Sequence, residues 1–160
     1  MPQPVICKLT KESHDRIVEL EDKTGTPPWT RALIEAEFGK SNSRIYGVRI
    51  GGEIIGFTIL RLIVDEVHIL KFAVDPECQG KGYGRYLLRG SFSELYDQGA
   101  RRVSLEVRAS NKPAVSLYLS EGFYECGIRQ EYYTDNKEDA LLLNLSLDDF
   151  ISRLGSEEQL

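Results

Sequence analysis

The chain has 160 residues, 41% hydrophobic and 28% charged, and a net charge of −5. That suits one soluble globular domain with a real core and disfavours general nucleic-acid binding, while it is compatible with a cationic substrate. No apolar run is long enough to span a membrane, Met1-Pro2-Gln3-Pro4 lacks the regions of a secretion signal, and the widely spaced Cys7, Cys78 and Cys126 read as reduced thiols, so a cytoplasmic protein is expected.

Val5 to Leu9 alternates in polarity and predicts a first strand. Thr10 is placed to cap a helix running to about Asp22, and Thr24-Gly25-Thr26-Pro27-Pro28-Trp29 is a turn-rich break. Thr30 is placed to cap a second helix to about Phe38. Ile45 to Ile50, Gly51-Gly52, then Glu53 to Leu62 read as a β-hairpin, and Glu66 to Val74 as the next strand. Gly84 to Gln98 reads as a helix stopped by Gly99. Arg101 to Arg108 puts Val103, Leu105 and Val107 on one face, with Ser104, Glu106 and Arg108 on the other. Asn111 is placed to cap a short helix to about Ser120, with Pro113 in its first turn. Phe123 to Tyr133 and Ala140 to Leu145 read as the last strands, joined by the polar loop Thr134 to Asp139. Asp148 to Leu160 reads as a short helix that frays.

The order βααβββαβαββ predicts an α/β (α+β) fold around one mixed, mostly antiparallel twisted sheet. With no linker or repeat, residues 1–146 are expected to form a single domain and 147–160 a short C-terminal extension.

The segment between the third hairpin strand and the following helix is Asp75-Pro76-Glu77-Cys78-Gln79-Gly80-Lys81-Gly82-Tyr83-Gly84-Arg85. Glycines at alternate positions in a strand-to-helix turn leave backbone N–H groups uncovered, and a helix N-terminus attracts phosphate. Arg85 stands where a Rossmann G-x-G-x-x-G needs glycine or alanine, and Gly82 stands where a Walker A loop needs Ser or Thr. The remaining pattern, Gln79-x-x-Gly82-x-Gly84, resembles the pyrophosphate loop of the GNAT N-acetyltransferases. The plain alternative is a glycine-rich turn, with Lys81 and Arg85 as surface charges.

Acetyl transfer to an amine needs a base for the ammonium and an acid for the departing thiolate. A carboxylate and a tyrosine hydroxyl suit those roles. Glu106 is either that base or a solvated carboxylate paired with Arg102 or Arg108. Tyr118 is either the acid or a packing tyrosine. Asn111 is most simply a helix cap. His14 and His68 are isolated in sequence and read as surface or packing residues, and no metal-ligand cluster is visible.

The run Leu105-Glu106-Val107-Arg108-Ala109-Ser110-Asn111, with Ala114, Leu117-Tyr118 and Gly122-Phe123, resembles the signature of RimI-type protein N-terminal acetyltransferases. Asp65-Glu66 and Ala73-Val74-Asp75-Pro76 extend it upstream. Arg129, Tyr132-Tyr133 and Glu138-Asp139-Ala140 extend it downstream, and Glu21 and Pro28-Trp29 fall in its N-terminal region. The resemblance covers about residues 3 to 145. It implies acetyl-CoA as co-substrate, no metal, and the N-terminal alanine of a small-subunit ribosomal protein as acceptor. It implies Glu106 as general base and Tyr118 as general acid. Phe72, Ala73 and Val74 would hold the pantetheine arm, residues Gln79, Gly80, Lys81, Gly82, Tyr83, Gly84 and Arg85 the pyrophosphate, and Asn111 would touch the cofactor. Trp29 and the loop holding Tyr132, Tyr133 and Asp139 would shape the peptide cleft, with Glu21 or Asp139 attracting a basic peptide. Two departures stand out. Thr24 to Pro27 differs from the bacterial pattern, and Lys71-Phe72 replaces a small aliphatic pair. The other open readings are an acetyltransferase for a small amine (polyamine, amino acid or aminoglycoside) and a non-catalytic acetyl-CoA-binding module.

Overall fold

A computed structural model describes residues 2–158. In chain order the elements are β1 (Val5–Lys8), α1 (His14–Thr24), α2 (Arg31–Phe38), β2 (Ser43–Ile50), β3 (Glu53–Ile63), β4 (Glu66–Val74), α3 (Tyr83–Asp97), β5 (Arg102–Arg108), α4 (Lys112–Ser120), β6 (Tyr124–Arg129), β7 (Ala140–Ser146) and α5 (Leu147–Glu158). Short 3₁₀ turns occupy Lys11–Ser13 and Pro76–Cys78. The seven strands form one sheet in the order β1-β2-β3-β4-β5-β7-β6. Every neighbouring pair is antiparallel except β4 and β5.

Local chemistry explains most of the boundaries. Gly51 and Gly52 turn the β2–β3 hairpin with φ of +58° and +85°, the left-handed pair that a two-residue turn demands. The Thr30 hydroxyl accepts from Leu33 N–H and starts α2. The Asn111 side chain accepts from Ala114 N–H and starts α4. Thr10 behaves differently from its sequence reading. The 3₁₀ turn comes between it and α1, and its hydroxyl makes no capping bond.

Two cores flank the sheet. On one face, Ile17 and Leu20 of α1 and Ile34 of α2 pack with Ile45, Phe57 and Ile59. On the other, Leu87, Leu88, Phe92 and Leu95 of α3 pack with Leu60, Val67, Leu105 and Leu145. Each such side chain contributes roughly 1.5–3 kcal/mol on burial. The C-terminal helix does not fray in the described residues. Its Leu147 and Phe150 are 0% and 1% exposed, and Phe150 stands edge-on to Phe92 at 5.4 Å between ring centres. Positions 159–160, the end of that sequence reading, lie outside the described residues. The strand expected over Phe123 to Tyr133 stops at Arg129, because Glu131 adopts a φ of +51° while its N–H donates to Asp139 Oδ1 at 3.0 Å. A left-handed residue cannot continue a strand. No described helix is long and apolar enough to cross a membrane.

One irregularity shapes the rest. β4 pairs with β5 only at Glu66–Arg102, Val67–Val103 and His68–Ser104, although both strands run further. Just beyond, the β3–β4 register steps from Leu60–Ile69 to Ile59–Lys71, leaving Leu70 as an extra residue. Such a bulge bends its strand and sharpens the twist. The bulge is held by Thr58, a buried residue whose hydroxyl donates to the Lys71 carbonyl at 2.8 Å. Thr58→Val removes that donor and leaves a carbonyl without its partner. Urea unfolding should show a loss of about 1–3 kcal/mol; unchanged stability would mean that the bulge does not depend on this bond.

Candidate active site

Two pockets open where β4 and β5 separate. The first, about 490 Å³, lies over the glycine loop and is lined by Phe72, Ala73, Val74, Cys78, Gln79, Gly80, Gly82, Tyr83, Gly84, Arg85, Asn111 and Leu117 among others. Gly80 and Gly82 take φ of +78° and +88°, and a Cβ on either would meet no atom within 4 Å. The loop is thus bare on its open side. The first α3 hydrogen bond into Gly82 O comes from Tyr86 N–H at 3.1 Å. Helix geometry leaves the N–H groups of residues 83–85 without helical acceptors, a positive cradle suited to an anion. The residues present therefore fit a pyrophosphate held by backbone.

The side chains around the loop mostly hold the loop itself. Asp75 Oδ1 accepts from Glu77 N–H at 3.1 Å, while Oδ2 receives Arg16 of α1 at 3.1 Å. The Glu77 N–H bond holds the Asp75 carboxyl below its usual range, against the effect of burial, and Arg16 and Lys23 add to this. Gln79 Nε2 donates to Val74 O at 3.0 Å, so one N–H of the Gln79 side chain closes the loop. Lys81 is outside the pocket lining. Arg85 lines it, but its guanidinium is bonded to Glu121, a fully buried carboxylate that also receives Arg89 at 2.9 and 3.0 Å. Burial opposes ionisation of Glu121, and Arg89 and Arg85 overcome it. Of the two positive charges expected to steady phosphate, Lys81 is exposed beside the loop and Arg85 is already balanced by Glu121. Asn111 spends its oxygen on the α4 cap at 3.3 Å and keeps its amide NH₂ without a partner among the described residues.

The second pocket, about 450 Å³, is the cleft between the diverging strands. It shares Thr24, Phe72, Asn111 and Ala114 with the first, so the two are continuous. Glu106 projects into it from β5 and Tyr118 from α4. Glu106 is not paired with Arg102 or Arg108. Arg102 reaches Asp65 and Glu66 instead. Glu106 Oε2 lies 2.6 Å from His68 Nε2, and Arg129 is 3.8 Å from Oε1. The His68 contact holds the Glu106 carboxyl below its usual range, with burial opposing and Arg129 helping. His68 is therefore neither isolated nor merely packing. Tyr118 is 5% exposed and stands edge-on to Phe72 and Phe123, at 6.1 and 5.3 Å. Burial pushes its hydroxyl well above the ordinary tyrosine range. Tyr118 is packed, as one sequence reading has it, and it also lines the cleft where the other reading needs an acid.

The walls of the cleft come from two loops. Trp29, Tyr132 and Tyr133 line it, while Asp139 does not and serves the turn at Glu131. Glu21 is 2% exposed and accepts from Trp29 N–H at 2.8 Å and from Lys71 Nζ at 2.9 Å. Glu21 lines the cleft as the sequence reading placed it, but its carboxylate is already engaged by Lys71 and the Trp29 N–H. Lys71, which departs from the usual pattern there, supplies the compensating charge and lies 5.2 Å from the Trp29 ring centre. Arg108 ties the walls together. It donates to Thr26 O at 2.5 Å and to Asp135 at 3.0 and 3.1 Å, and its guanidinium lies 4.0 Å from the Tyr133 ring centre. Glu138, 3.4 Å from Arg108, accepts from Ser110 N–H at 2.6 Å. Hydrogen bonding from the Ser110 side chain and then its N–H, with Asn136 and Arg108 adding, pulls the Glu138 carboxyl down to about 2, so the tie is ionised at neutral pH.

Sequence reasoning missed His68, Arg108 and Lys71 as parts of the cleft. Alternation placed Arg108 on the Glu106 face, but nothing local shows that His68 sits beside Ser104 in a neighbouring strand. Gly82→Val places a side chain in the open cradle and forces a β-branched residue to positive φ. Calorimetric titration should show a loss of acetyl-CoA affinity of at least tenfold, about 1.4 kcal/mol; undiminished affinity in a folded variant would move the phosphate site elsewhere.

The chain belongs to the acetyltransferase (GNAT) family, whose family model matches residues 14–123. It is 35% identical to a putative ribosomal protein bS18-alanine N-acetyltransferase of Bacillus subtilis, over 90% of this chain and 96% of that protein. It is 38% identical to the N-alpha-acetyltransferase RimI of Mycobacterium tuberculosis, over 86% of this chain and 90% of that one. The crystal structure of the ribosomal-protein-S18-alanine N-acetyltransferase from Escherichia coli superposes with a TM-score of 0.85 at 32% identity, covering 91% of this chain and 94% of that one.

Proposed function

We propose that the chain moves an acetyl group from acetyl-CoA to the α-amine of a protein N-terminus, with the N-terminal alanine of a ribosomal protein as the preferred acceptor. The observation that carries this reading is the continuity of the glycine-loop pocket with a cleft holding Glu106 and Tyr118. The names of the relatives above support the acceptor. The breadth of the cleft, walled by Trp29, Tyr132 and Tyr133, suits an extended peptide.

The co-substrate brings an activated acetyl thioester. Beyond His68, β4 has no strand partner on its β5 side, so the backbone N–H groups of Phe72 and Val74, which alternate with the β3-bonded Ala73, are open to donate to amide or thioester carbonyls. The Asn111 amide at the junction of the pockets is a further donor. An α-amine with a reference pKa of roughly 7.7–8.0 is largely protonated at neutral pH and must lose a proton before it attacks. Glu106 marks the side of the cleft where that proton goes, directly or through water. Tyr118 holds its own proton firmly because it is buried, and faces the cleft as a donor to the departing sulfur. The same dry surroundings raise the basicity of a thiolate, which favours the transfer.

Mass spectrometry of an amine panel incubated with acetyl-CoA tests the acceptor. The panel holds peptides starting with Ala, Ser, Gly and Met, plus spermidine and an aminoglycoside. The expected result is one acetyl group on the peptide α-amine, with Ala preferred. Acetylated spermidine or aminoglycoside with untouched peptides would replace the reading with a small-amine acetyltransferase, and cofactor binding without any product would leave a binding module.

A further inference from the structure

The Glu106–His68 pair is built in a way that a lone carboxylate base does not need. Glu106 is an ionised carboxylate held low by its surroundings, and such a group can only accept hydrogen bonds. The 2.6 Å contact with His68 Nε2 therefore has the proton on Nε2. That leaves Nδ1 as the imidazole nitrogen with a free lone pair. The Glu106 side chain is 16% exposed, whereas the His68 side chain is 42% exposed and lines the same cleft. A carboxylate weakened in this way is a poor acceptor for the proton of an amine. An imidazole titrates near the pH of the reaction, which is the condition for efficient proton transfer. A carboxylate that orients an imidazole and balances its charge is the arrangement that activates bases in hydrolases.

We propose that His68 is the catalytic proton acceptor of this acetyltransferase and that Glu106 is the positioning residue that fixes its tautomer and balances its charge. The proposal rests on the acetyltransferase reading of the cleft. An N–H bond of the acceptor ammonium breaks and its electron pair stays on nitrogen. The proton passes to Nδ1 of His68, directly or through one water. The resulting imidazolium is paired with the Glu106 carboxylate and later returns its proton to solvent through its exposed edge.

The charges around His68 support this cycle. On its own strand, Glu66 is engaged by Arg102. Arg61 of β3, its register partner, is bonded to the buried Glu37 of α2 at 2.6 Å. Lys71 is bonded to Glu21 of α1, and Arg129 of β6 faces the far oxygen of Glu106. Tyr133, across the cleft, is held neutral by burial. Among the described residues, Glu106 is the carboxylate in contact with the imidazole.

The test compares wild type, His68→Gln, His68→Ala and Glu106→Gln on an N-terminal Ala peptide across about pH 5 to 8. His68→Gln should lower kcat by about 10²-fold or more while the Kd for acetyl-CoA stays unchanged. The acidic limb of its kcat/KM profile that belongs to an imidazole should vanish. A limb common to all variants belongs to the amine itself. Free imidazole should restore part of the rate to His68→Ala. Glu106→Gln should retain the imidazole limb while lowering kcat, because His68 keeps its acceptor nitrogen but loses the carboxylate that orients it. His68→Gln within a few-fold of wild type, with the limb kept, would overturn the proposal and leave Glu106 as the base. Wild-type protein that acetylates spermidine but no peptide would overturn the acceptor reading alone, and the same variants assayed on spermidine would then decide the role of His68.

Discussion

The site depends on a failure of strand pairing. Two parallel strands that stayed in register along their length would bond to each other and leave no room for a ligand. Here β4 and β5 pair at three positions and then part, beside the extra residue at Leu70. The parting exposes one edge of β4, forms a cleft against β5, and carries the end of β4 into the glycine loop at the start of α3. One bend thus generates an open strand edge and two continuous pockets, one of them over the glycine loop, where the proposed function places the cofactor arm, the acceptor and the pyrophosphate. The unpaired backbone is costly unless something bonds to it. A long thin ligand with amide groups is the natural partner for such an edge, and the amide-bearing arm of CoA answers that description.

Around this opening the charges are arranged so that little of the electrostatic field is left over. The buried carboxylates Glu21, Glu37, Asp75 and Glu121 each have basic partners from elsewhere in the chain. Three of these pairs or clusters tie helices to the site. Asp75 links the loop to α1, Glu21 links the cofactor strand to α1, and Glu121 links α3, α4 and α5 through Arg85, Arg89 and Arg153. Leaving any of those carboxylates unpaired would cost several kcal/mol, roughly 3–5 for a fully buried one. Glu106 differs because its nearest partner is the imidazole of His68 and not a lysine or arginine.

Much of this was legible in the amino-acid order. Alternation predicts β5, caps predict α2 and α4, paired glycines predict the hairpin, and alternate glycines mark the open loop that borders the first pocket. What was hidden has a common cause. The partner of Glu106 lies 38 positions earlier, and their meeting is set by the parallel register. Arg108 and Thr26 are 82 positions apart. Glu21 reads as a surface acid in a helix, and only the tertiary fold buries it against Lys71. Lys81 and Arg85 show the converse, since local sequence advertises charge near phosphate while the fold directs Arg85 to Glu121. The strand after Phe123 ends early because Glu131, in the left-handed region, bonds the side chain of Asp139 eight residues further on, a link that periodicity does not carry.

Amide hydrogen exchange with and without saturating acetyl-CoA tests most directly whether the parted strands are the binding edge. The account predicts slowed exchange at Phe72 and Val74 and at Gly80 to Arg85, with the distant β1–β2 pair unchanged. Tight binding that left both segments exchanging at their free rates would contradict it.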